Sequence, residues 1–88
     1  MTTGKQLGHL LRKHRQAAGL SMSAGARALT DAGVGRSRQS VYVWEKGAAD
    51  PPAEVLRALV EVYALTAGQK VEIFNAAGLL VIVPTEAA

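Results

Sequence analysis

Arg38 and Gln39 open a short segment, Ser37–Gly47, whose side chains suit one kind of chemistry, the reading of base-pair edges. A guanidinium donates a fork of hydrogen bonds to guanine O6 and N7, and a carboxamide pairs in the same way with adenine N6 and N7. The segment reads as a helix able to present both. Ser37 is a good N-cap and Gly47 a good C-terminal stop. At about 100° per residue, Arg38, Gln39, Tyr42, Val43 and Lys46 fall on one long, polar and cationic arc. Ser40, Val41, Trp44 and Glu45 fall on the other, which is mostly apolar. A helix that buries the second arc holds the first toward a DNA major groove.

Other chemistries find little support. The chain has no cysteine, which excludes disulfides and thiolate metal sites. His9 and His14 are five positions apart, or about 140° around a helix, so they cannot hold one metal ion from it. The sequence contains no P-loop and no plausible Ser/His/Asp arrangement. The expectation is therefore a protein without enzymatic activity, cofactor or small-molecule substrate. No apolar run approaches the roughly 20 residues of a membrane span, and the polar N-terminus carries no signal-peptide pattern. The expected compartment is the cytoplasm, with no membrane partner.

The net charge of +3 hides an asymmetry. Residues 1–47 carry eight Lys and Arg against Asp31 and Glu45, whereas residues 48–88 carry Arg57 and Lys70 against five carboxylates. A basic half joined to an acidic half suits a domain that offers one face to a polyanion. An unevenly charged solvated surface would have the same composition.

The elements that must position the Arg38 segment follow from capping and period. Thr3 and Gln6 have the spacing of a capping box, and Leu7, Leu10, Leu11 and His14 repeat at helical intervals up to Gly19. Ser21 is a second N-cap, opening a helix that contains Ala26 and Leu29. Gly25 inside it is the kind of residue that permits another helix to pack closely. Asp31–Gly35 reads as a turn. After the Ser37 helix, Asp50-Pro51-Pro52 leads into a fourth helix with Leu56, Leu59, Val60 and Tyr63 in phase. Thr66 and Gln69 form another capping box before a fifth helix that ends at Gly78. Residues 79–83, Leu-Leu-Val-Ile-Val, read as a short β-strand closed by Pro84. The predicted architecture is thus all-α, a five-helix domain over residues 1–78 with a C-terminal strand and tail over 79–88.

Together, Leu7-Gly8, Leu11-Arg12, Arg15, Gly19-Leu20-Ser21, Ser37, Val41, Trp44-Glu45-Lys46-Gly47, Pro51 and Leu56 resemble the Cro/C1-type helix-turn-helix family. The resemblance runs over roughly residues 5–78. It implies a lambda-repressor-like bundle that binds double-stranded operator DNA, usually as a homodimer, with the third helix as reader. By this resemblance Arg38 and Gln39 contact base edges, and Val43 touches a thymine methyl. Ser37, Ser40 and Lys46 lie along the backbone, where Tyr42 can also offer its hydroxyl to a phosphate. Arg15 and Glu45 form a structural ion pair between the first and third helices.

The chain departs from the family pattern in several places. Fifteen residues separate Ser21 from Ser37, more than the family has. Met22 replaces a phosphate-binding Gln, His14 replaces an apolar core residue, and Pro52 removes a backbone N–H near the fourth helix. Arg27 and Arg36 are the candidates to supply the missing phosphate contacts. His14 is expected in the core with its hydrogen bond satisfied. Leu79, Leu80, Val81, Ile82 and Val83 could fold back on the core or pair with their copy in a second subunit. The function expected is a sequence-specific repressor working by steric exclusion at an inverted-repeat operator. The competing expectation is an antitoxin or other protein-interaction module that also binds DNA.

Overall fold

The computed structural model describes residues 3–78, with side chains from residue 5 onward. Over that range the chain is all helical: α1 (Thr3–Ala17), α2 (Met22–Asp31), α3 (Arg38–Lys46), α4 (Ala53–Val62) and α5 (Ala67–Ala76). The strand expected at residues 79–83 lies outside the described residues, as does the tail that follows it.

The helix starts are set by local hydrogen bonds. Ser21 Oγ accepts from Ala24 N at 3.0 Å, and Ser37 Oγ accepts from Ser40 N at 3.2 Å. Each bond satisfies a first-turn donor that the helix itself cannot. Thr66 and Gln69 form the full reciprocal box: Thr66 Oγ1 accepts from Gln69 N at 3.2 Å, and Gln69 Oε1 from Thr66 N at 2.9 Å. The box expected at Thr3 differs, because α1 already includes Thr3. Pro52 stands at the N-cap of α4 and supplies no side-chain cap. Glu54 in that helix's first turn offsets part of the loss through the helix dipole.

The apolar stripes of all five helices meet in one core. Leu7 and Leu11 of α1, Leu29 of α2, Val41 of α3, Leu56 and Leu59 of α4 and Ile73 of α5 are almost wholly removed from water. Helix α1 lies against α3 and α5, α2 against α3 and α4, and α4 against α5. The α1–α3 approach is close. A Cβ at Gly8 would come within 2.6 Å of the Trp44 and Glu45 carbonyl oxygens, so only glycine fits there. Gly47 closes the far end of α3 in the left-handed region (φ 79°), packed on the Lys5 backbone.

Two expectations are corrected here. Gly25 is buried beside Tyr63 and Arg15, but a Cβ would sit 3.7 Å from the Tyr63 hydroxyl, an ordinary contact. The neighbouring helix therefore does not need a glycine there. His14 is buried as expected, yet its Nε2 has no hydrogen-bond partner among the described residues, so the bond expected for it is not made there.

Candidate nucleic-acid interface

Helix α3 divides as its sequence pattern requires. Val41 and Trp44 are buried, while Arg38, Gln39, Tyr42 and Lys46 are exposed along one side. Val43 and Ser40 are half-buried at the borders between these faces. Lys46 Nζ stands 5.3 Å from the centroid of the Tyr42 ring, a cation–π contact across one helical turn. Both side chains lie on the exposed face, beside Arg38 and Gln39.

Behind this face, the α3 helix is anchored by charge. Arg15 Nε donates to Glu45 Oε2 at 2.6 Å and Nη2 donates to Oε1 at 3.0 Å, a two-bond fork. Arg15 Nη1 also donates to the Leu20 carbonyl at 2.8 Å, tying the α1–α2 turn to the same group. The Arg15 and Glu45 side chains are 9% and 3% exposed, so neither charge has water to fall back on. The Glu45 hydrogen bond raises the Arg15 pKa against the opposing effect of burial and keeps the guanidinium charged. Tyr63 packs nearby. Burial pushes its phenol pKa upward and the Glu45 carboxylate pushes the same way, against a smaller opposing effect of Arg15.

In front of α3 lies an open groove of about 380 Å³, lined by Ser21, Met22 and Ser23 of α2 and by Arg38, Gln39 and Tyr42 of α3. The starts of two helices therefore converge on one depression. Neither has an acidic residue in its first turn. First-turn N–H groups lack acceptors inside their own helix, and the helix dipole adds partial positive charge at the same end. Such a junction attracts anions. Sequence reasoning treated Ser21 only as a cap and had no part for Ser23. The lack of Asp or Glu in both first turns was readable, but α1 and α5 share it, so only the convergence of the two helix starts marks the groove.

Met22, standing where the family has a phosphate-binding Gln, lines the groove and packs in part against the core. Arg27 is exposed on α2 and Ser37 at the α3 cap, whereas Arg36 is engaged elsewhere. Arg36 Nη1 donates to the Gly35 carbonyl at 2.8 Å and the Val34 carbonyl at 3.4 Å, and Nη2 lies 3.5 Å from Glu54 Oε2. The guanidinium expected on a phosphate is thus bound to its own turn and to α4. Among the described residues, no three His, Cys, Asp or Glu side chains gather in a way that could hold a metal ion, and no helix is long and apolar enough to cross a membrane.

Two helices joined by a turn, the second exposing Arg and Gln from its start and backed by a buried core, define a DNA-binding helix-turn-helix unit. The family pattern of the helix-turn-helix domain matches residues 6–72, and the chain belongs to that family. The match agrees with the Cro/C1-type resemblance read from the sequence. Neither a curated protein nor a solved structure matches the chain.

Proposed function

We propose that this protein is a sequence-specific transcriptional repressor that inserts α3 into the DNA major groove. The observation that carries this reading is the convergence of two acid-free helix starts on a groove beside Arg38, Gln39 and Tyr42. A phosphate seated at the start of α2 would leave the first turn of α3 facing the base edges. Arg38 and Gln39 then make the forked base contacts, and Val43, at the border of the face, meets a thymine methyl. Ser37, Ser40, Tyr42, Lys46 and Arg27 contact the backbone. These contacts hold register and orientation and make binding steeply salt-dependent, while the base contacts discriminate.

The protein acts as a homodimer on an inverted-repeat operator and represses by covering promoter DNA. Two copies would set their reading helices about 34 Å apart, one turn of the duplex. The apolar residues 79–83 are the proposed pairing element. Selection of bound sequences from a random duplex library tests the reading. A motif with two-fold symmetry and half-sites one turn apart is the expected result. Recovery of no preferred sequence would sink it.

A further inference from the structure

The long connection between α2 and α3 is a built piece of structure. Helix α2 runs to Asp31, and Gly33 (φ 88°) turns the chain. Val34 N then donates back to the Leu29 carbonyl at 3.0 Å, and the Val34 side chain packs against the core. Gly35 lies on Thr30, whose Oγ1 would stand 3.1 Å from any Cβ at that position. Arg36 follows, with two bonds to its own turn and a third approach, at 3.5 Å, to Glu54 in the first turn of α4. Ser37 caps the next helix, and Arg38 begins it. A single residue therefore separates a guanidinium tied to α4 from the first reading side chain.

From this arrangement we infer that Arg36 and Glu54 are positioning residues, whose pairing sets the angle and depth at which α3 presents Arg38 and Gln39. The inference rests on the proposal that α3 reads base edges. It accounts for the extra length before α3: the added residues reach α4, and the ion pair holds the start of α3 against that helix. The Arg36 and Glu54 side chains are 34% and 66% exposed, and solvated pairs of this kind contribute little to folding. Their effect falls on the fraction of molecules whose reading helix is correctly placed. Affinity for the right sequence follows that fraction, whereas nonspecific phosphate binding does not depend on it in the same way. The competing role, Arg36 as a phosphate ligand that leaves Glu54 when DNA arrives, gives a different signature.

The test measures anisotropy of the selected operator and of a random duplex against full-length protein over a salt series. It compares wild type, Glu54→Gln, Arg36→Ala, Arg36→Glu and the swapped pair R36E/E54R, with thermal melts to show that each is folded. Positioning is supported if Glu54→Gln and Arg36→Ala each lower the operator-to-random ratio by about three- to fivefold, keep the wild-type salt slope, and if the swapped pair regains part of the ratio lost in Arg36→Glu alone. It is overturned if Arg36→Ala weakens both duplexes alike and reduces the salt slope by about one, or if Glu54→Gln leaves the ratio unchanged. A wild-type ratio of one would remove the reading function itself, and the inference with it.

Discussion

Arg15 and Glu45 lie thirty residues apart in sequence and meet in a two-bond fork at 2.6 and 3.0 Å, with both side chains almost out of water. The pair locks α3 to α1 from behind, so the face of α3 that carries Arg38 and Gln39 is held by charge as well as by Val41 and Trp44. Breaking one partner strands the other. Glu45→Ala is expected to cost about 3 kcal/mol, the low end for a broken buried pair, because Arg15 keeps its bond to the Leu20 carbonyl. That corresponds to a drop of roughly 12–24 °C in Tm for a domain of this size. Affinity per folded molecule should change much less. A melting curve that is unmoved while affinity collapses would place Glu45 in the interface instead.

Arg38→Ala and Gln39→Ala test the reading face directly. Each is expected to cost about 1–3 kcal/mol on the selected operator and to relax discrimination at one base-pair position. Stability should hardly respond, since both side chains are exposed. Titrations against operators varied one position at a time would check this, and unchanged preference in both variants would clear α3 of the role.

The two buried glycines should answer alanine in opposite directions. Gly8→Ala sets a Cβ 2.6 Å from two backbone carbonyl oxygens of α3, which cannot swing away as a side chain could. The expected loss is about 2–3 kcal/mol, at the upper end for overpacking. Gly25→Ala meets only ordinary contacts at 3.7 and 3.9 Å and gains helix propensity, up to about 1 kcal/mol. Denaturant midpoints of the two variants measured side by side decide the matter.

Tyr63 gives the domain an alkaline limit. Its phenol pKa is raised in the folded protein by burial and by Glu45, above the value of 10.0 for an unperturbed tyrosine. Below that value both states hold the proton, and stability does not depend on this group. As pH rises past it, the unfolded chain ionises while the folded one stays protonated, so the unfolded state gains. Stability should fall by about 1.4 kcal/mol per pH unit in that window. Tyr63→Phe should lack this component. Denaturant unfolding of both proteins between about pH 8 and 11 measures the difference, and parallel curves would contradict the account.

Removing residues 79–88 tests the proposed pairing element. The expected species is a folded monomer in sedimentation, with operator affinity reduced because the two half-sites no longer bind together. A full-length chain and a shortened chain of the same oligomeric state would dismiss residues 79–83 as the element.

Much of this molecule is decided by interactions between near neighbours, and those were readable from sequence. Ser21, Ser37 and the Thr66–Gln69 box start their helices through bonds spanning three residues. The two arcs of α3 follow from helical period alone, as the burial of Val41 and Trp44 against the exposure of Arg38 and Gln39 shows. The Arg15–Glu45 pair was legible only through the family pattern, because nothing local joins the first helix to the third. Tertiary structure alone decided the rest. The bare approach of Gly8 to the α3 carbonyls, the room beside Gly25, the groove between the starts of α2 and α3, and the reach of Arg36 to Glu54 are all distances between separate elements. Caps and periodicity specify where helices begin and which side is apolar. They do not encode how near two helices come, and in this protein that separation sets which backbone atoms a Cβ would strike and where a guanidinium finds its carboxylate.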